Sequence, residues 1–315
     1  MCYDHPFHAL RVTNRPGNAT SNSSTMARSN DLKPKRLPFR KRAAAGVFAG
    51  VSLLAAALSA ASAAPTPEQT FQDAWSAAAT LRATEAHALF DSLRGKKELS
   101  DRDVAYGTAL TFLDVQPKTD ENVARAADLF ARLAKENPDD MAGQESRFFL
   151  ARIAETPQRP ADPVKAEQLY RALFHDHPES AVGQLALEKA TLVGLYANTP
   201  TPQIPARFAE FEALGAGLTD PAAAPAFHLI LGLAAIEFGL PPAQAFDHLA
   251  AAERIGVPGA AARATNLVRL GRLAQKLGRK DAELLYWGEF VRLYPHDNRN
   301  YVIRQELLQL GGQAS

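Results

Sequence analysis

Few side-chain groupings in this chain have the types and spacing that chemistry needs. His175-Asp176-His177 sets two imidazoles beside a carboxylate, the ligand types a divalent metal takes. Yet the segment falls at the polar end of a helical stretch just before Pro178. An ungapped match 40 residues upstream puts Lys135-Glu136-Asn137 in the same place, so the cluster reads as a solvated helix end. Asp247-His248 lies mid-helix where a large side chain is expected, and His248 should pack half-buried. Glu145-Ser146 pairs a carboxylate with a hydroxyl, but Glu145 matches Leu185 of the following unit, which speaks against a catalytic carboxylate. No zincin helix, nucleophile elbow or phosphate-cradling glycine loop is present. The single cysteine is Cys2, which excludes Cys/His catalysis in the folded part. The expectation is a chain with no catalytic residue, no metal and no cofactor.

Charge and composition say which elements are available to position anything. The 315 residues carry a net charge of +1, but residues 1–63 hold 9 Lys/Arg against 2 Asp/Glu, and the remainder 26 against 32. The portion expected to fold is therefore mildly acidic, which argues against nucleic acid as a partner, since phosphate contacts need concentrated Lys/Arg. The basic excess lies in KPKRLPFRKR (33–42), followed by an apolar run over 43–60 and then Ala61-Ser62-Ala63. A basic stretch, an apolar stretch and small residues at −3 and −1 make a secretory signal peptide, with cleavage after Ala63. Met26 is the better initiator for such a leader. The alternatives are an uncleaved anchor over 43–60, which would be the only route to a membrane, and an organellar transit peptide. No cysteine follows the apolar run, so a lipoprotein is excluded. A cysteine-free exported chain fits a bacterial periplasm.

Helical periodicity dominates what remains. In NLVRLGRLAQKLGRKDAELLYWGEFVRLYP (266–295), Leu267, Leu270, Gly271 and Ala274 share one helix face. Gly278 suits a helix C-cap, where positive φ costs glycine nothing, and Asp281 is placed to cap a second helix carrying Leu284, Trp287, Phe290 and Val291. Pro295 ends it. Gly232, Ala235 and Gly239 precede Gly271, Ala274 and Gly278 by 39 residues each, and Gly194 lies 38 further back. The stretches AADLFARLAKENPDDMAGQ and AEQLYRALFHDHPESAVGQ align at an offset of 40, with Pro138 over Pro178 and Gly143-Gln144 over Gly183-Gln184. Neither stretch shows the period-two alternation of a strand.

These spacings resemble the tetratricopeptide repeat (TPR), a helix–turn–helix unit of 34 residues. The resemblance covers roughly Leu99 to Leu310 and implies an all-α, right-handed superhelical solenoid of five to six antiparallel helix pairs. Gly194, Gly232 and Gly271 would allow close helix approach, Gly239 and Gly278 would be turn glycines, Trp287 the large core residue, and Pro138, Pro178 and Pro295 terminators. Glu283 stands where the family has a small residue. Residues 64–98 read as an N-terminal helix pair or cap, 99–310 as the solenoid and 311–315 as a tail, after the 1–63 leader. The ending aromatic–x–x–hydrophobic before a proline is similar to bacterial envelope TPR proteins of the Tol–Pal-associated and outer-membrane-assembly kinds. Glu145-Ser146 resembles the Glu-Ser pair of lytic transglycosylases, but the other motifs of that catalytic domain do not follow.

What the TPR resemblance implies for function is display on a concave groove lined by first helices. It assigns Val268, Arg272, Gln275 and Lys276 to that face in the last clear repeat, Leu229, Leu233, Ile236 and Glu237 one repeat earlier, and Thr191 and Leu195 before that. The charged groove with which chaperone-binding TPRs grip a C-terminal carboxylate is not matched, because Val268 stands where a lysine belongs. An amphipathic helix or an extended peptide of an envelope protein fits the apolar patch beside Arg272 and Lys276. The rival expectations are a structural, self-associating envelope protein of unknown oligomeric state, and an enzyme of unassigned type.

Overall fold

The structure, a computed structural model, describes residues 64–156 and 160–311. The leader with its apolar run at 43–60 lies outside the described residues, as does Pro157–Arg159 in the TPQRPADP connection. The described residues are 77% helical and contain no strand.

Thirteen α-helices follow one another: α1 (Pro67–Ala79), α2 (Ala83–Ser92), α3 (Asp101–Asp114), α4 (Asp120–Glu136), α5 (Met141–Glu155), α6 (Pro163–Asp176), α7 (Ala181–Val193), α8 (Ile204–Leu214), α9 (Ala223–Glu237), α10 (Pro242–Ile255), α11 (Ala260–Lys276), α12 (Lys280–Leu293) and α13 (Asn300–Gln309). Consecutive helices pack together except at α8, whose close backbone approaches are to the short turns flanking it, and α1, α3, α5, α7 and α9 also touch one another in order. The apolar interior runs from Tyr106 to Ala245 as one cluster, with two smaller clusters around Trp287 and around Phe246 and Leu270.

The recurring residues have physical roles. A Cβ on Gly194, Gly232 or Gly271 would overlap Phe211, Leu249 or Trp287 of the helix that follows, so these glycines set the closest helix approach in three pairs. Gly239 and Gly278 both adopt φ +67°, and the N–H three residues past each helix reaches back, Leu240 to the Ala235 carbonyl and Arg279 to the Ala274 carbonyl, both at 2.9 Å. That is the left-handed helix ending that favours glycine. The first pair repeats the turn with Leu81, at φ 60°, in the glycine position, and Arg82 N–H bonding the Ala77 carbonyl at 2.8 Å.

The 40-residue offset is explained at the starts of α5 and α7. Asp140 and Ser180 cap these helices by accepting from the N–H of Gly143 and Gly183. A side chain on either glycine would strike the carbonyl of Asn137 or His177, just before the terminating prolines. The glutamines that follow have diverged. Gln144 bonds locally to the Asp139 carbonyl, whereas buried Gln184 accepts from the N–H of Thr219 and Asp220 beyond α8. Asp281 does not cap α12: the helix starts at Lys280, and Asp281 lies inside its first turn, where its charge meets the helix dipole instead.

Candidate partner-binding face

The face opens where α7 loses its regular hydrogen bonding. Residues Gly194–Asn198 form a π-turn, held by Thr199, which donates to the Gly194 carbonyl at 2.6 Å, and by Asn198, which donates to the Pro163 carbonyl and to Glu167. Such turns shift the register of the side chains that follow. Here it leaves Tyr196 44% exposed, with its ring 5.4 Å from that of Phe238 at the end of α9. Burial raises the pKa of the Tyr196 phenol, Glu237 raises it further, and Arg269 opposes both. The ends of α7 and α9 therefore meet at the Tyr196–Phe238 ring pair.

The residues expected on this face divide. Arg272, Gln275 and Lys276 on α11 and Glu237 on α9 are exposed, as is Ile236 at 44%, while Leu229 and Leu233 are half-buried. Burial raises the pKa of the Glu283 carboxyl on α12, and neighbouring Gln275 opposes the shift. Val268 does not line the face. At 7% exposure it belongs to the core with Trp287 and Phe290, and its carbonyl accepts from the Trp287 indole. Thr191 and Leu195 are likewise buried, because α9 packs directly on α7. Sequence reasoning missed Tyr196, Phe238 and Arg269. The π-turn hid the first, and the repeat alignment assigned no role to the other two.

The ion pairs nearby make the basic edge of α11 stand out. Arg263, near its start, is held by Glu253 and Glu289, and Arg279, just past its end, by Asp247. Between them Arg269, Arg272 and Lys276 form no ion pair among the described residues. Their spacing of three and four residues places them on one stripe of the helix.

The other polar groupings make local contacts. Asp176 of the His175-Asp176-His177 segment is held below the usual carboxylate range by a hydrogen bond from Arg147, then by one from His175. Among the described residues no three metal-capable side chains converge. Glu145 and Ser146 are buried within α5. An open cleft of about 700 Å³ between α6, the π-turn and α8 is lined by Glu167, Asn198, Arg207 and Glu210. Its charges satisfy one another: Arg207 pairs with Glu167 and Glu210, and Arg171 with the same two carboxylates. Burial works against the Glu210 charge, but the two guanidiniums outweigh it and hold its pKa down. No described helix is long and apolar enough to cross a membrane. No protein-family model matches this chain, and no curated protein matches it either.

Proposed function

We propose that this chain is an exported, non-catalytic protein-interaction scaffold of the bacterial envelope. In this reading it is a right-handed, TPR-like solenoid that holds a peptide or helix of a partner against α9 and α11. The single observation that supports the reading is exposed surface on the later helices: Tyr196 and Ile236 are each 44% exposed, and on α11 Arg269, Arg272 and Lys276 form no ion pair among the described residues. A rigid stack of helix pairs suits display, because the receptor side is ordered before binding and the ordering cost falls on the ligand alone. Fold class by itself assigns no function, so the reading stands on that face.

The test is crosslinking from envelope fractions of cells carrying the full chain with a C-terminal tag, with the recovered N-terminus sequenced. A chain beginning at Ala64, crosslinked to a distinct envelope protein through α9 or α11, is the expected result. A chain retaining residues 43–60, recovered only from the cytoplasm without a partner, would overturn it. A second reading, self-association, is favoured by one feature. The closing helix α13 buries Ile303 and Leu307 but exposes Tyr301 (73%), Val302 (50%) and Leu308 (55%). Crosslinks confined to α13 between copies would support that reading instead.

A further inference from the structure

We propose that the cleft between α6, the π-turn and α8 is a binding site for a neutral saccharide. The site shares the π-turn with the partner-binding face, but it takes its own ligand and does not depend on the scaffold reading.

The ungapped 40-residue match pairs Glu167 with Ala127 and Arg171 with Ala131. One unit earlier, alanines thus serve at the same two positions of α4, and that helix pair forms without charge there. In α6 the Glu167 side chain is only 8% exposed, and both Arg171 and Arg207 reach its carboxylate. The same two guanidiniums hold Glu210 of α8, each at 2.5 Å. Burying such a quartet brings a fold little net stability, because desolvation offsets the attraction. The π-turn adds Asn198, which donates to Glu167 at 2.9 Å and to the Pro163 carbonyl at 2.8 Å. Turns of this kind recur at functional sites. Charges that the sister unit does without, and a helix irregularity that reaches them, wall a cleft of about 700 Å³. That volume lies within the range of small-molecule sites.

The side chains around the cleft select the class of ligand. Two guanidiniums and two carboxylates sum to zero, and each is engaged by opposite charge, so an ionic ligand would have to break the network. Hydroxyl groups would not, since guanidinium and carboxylate keep further donor and acceptor positions. Gln168 on α6 and Gln203 in the short turn Thr201–Gln203 both line the cleft and are exposed. Neither forms a side-chain hydrogen bond among the described residues. Each carboxamide offers a donor beside an acceptor, an arrangement that brackets two adjacent hydroxyls of a sugar ring. Val164, 56% exposed, joins Pro202 and Ala206 in giving the lining an apolar part that the C–H face of such a ring can cover.

The test is calorimetric titration of the full chain with neutral trisaccharides of glucose, mannose, galactose and N-acetylglucosamine. Inorganic phosphate and trialanine serve as the ionic and peptide probes. At least one trisaccharide is expected to bind saturably, and at least ten-fold tighter than phosphate or trialanine. Gln168→Ala and Gln203→Ala break no contact of the fold, and each should weaken that trisaccharide about ten-fold through the hydrogen bonds lost. E167A/R171A, which restores the alanines of the sister unit, should abolish binding while keeping native helical circular dichroism and a urea midpoint close to native. Should that variant unfold, the two glutamine variants carry the test alone. No saturable heat from any trisaccharide would sink the proposal, as would binding that both glutamine variants leave unchanged. Phosphate or trialanine binding more tightly than every trisaccharide would reassign the cleft to an anion or a peptide, and would equally remove the saccharide.

Discussion

Leu81 holds a left-handed backbone conformation that a side chain makes costly by roughly 1 kcal/mol or more, and that glycine adopts freely. Gly239 and Gly278 occupy the same place in two later pairs, and Leu81 is 67% exposed, so little packing would be lost. Leu81→Gly is expected to stabilise the chain by about 0.5–1 kcal/mol, part of the relief being offset by the greater freedom of glycine in the unfolded chain. A urea midpoint that fell instead would show that Leu81 packs on something the turn needs. Gly271 makes the opposite case. A methyl there would overlap the Trp287 ring, and Gly271→Ala should cost about 1–3 kcal/mol while leaving helical content intact. A neutral effect, measured by the same midpoint, would mean the ring has room to slide. Both glycines of the last repeat were readable from spacing alone. Leu81 was not, because a leucine in a glycine position carries no sequence signal.

At the scale of elements, the junction of α8, α9 and α10 is tied by two imidazoles. His228 Nδ1 lies 3.0 Å from His248 Nδ1, and His248 Nε2 lies 3.3 Å from Glu212 on α8. A bond between two Nδ1 atoms needs a hydrogen on one and a lone pair on the other. Only one of the two facing nitrogens can carry a hydrogen, so both rings cannot be protonated while the contact lasts. Burial, then His248 and Arg254, push the His228 pKa down to about 4, and burial lowers that of His248 against the pull of Glu212 and Asp247. The folded state thus binds fewer protons than the unfolded chain. The stabilisation is complete above the ordinary histidine value near 6.5 and is lost as pH falls toward 4, on the order of 2–3 kcal/mol in all. Urea midpoints at pH 7.0 and 4.5 check this: His228→Gln should lose clearly less stability over that interval than the native chain, and an equal loss would place the acid sensitivity elsewhere. The sequence indicated that His248 would be buried, since it fills a large-residue position. It gave no sign of His228 as its partner, because that contact joins helices whose relative rotation periodicity does not specify. The same limit applies to the face itself: helical spacing identified the exposed side chains of α11, but the π-turn that sets Tyr196 against Phe238 arises from Asn198 and Thr199 contacts that no local pattern announces.

For the whole molecule, the helices, their pairing and the close-approach glycines were legible because each depends on contacts between residues near in sequence. What covers what was less so. Val268, Thr191 and Leu195 were expected to face a groove and are buried, since the depth of a groove depends on how closely successive helices stack. Stacking also separates the interior into one long cluster and two short ones toward the C-terminus. In such arrays each unit is held mainly by its neighbours, and cooperativity between distant units is passed along rather than shared. The two tryptophans of the chain lie at opposite extremes of that line. Trp75 sits in α1 with its ring against Phe90, and Trp287 in α12 packs against Gly271. The protein therefore carries an optical probe at either end without any label. With Trp75→Phe or Trp287→Phe, emission reports one terminus at a time. Denaturation curves from the two variants are expected to have different midpoints, and superimposable curves would mean that the thirteen helices unfold as a single unit.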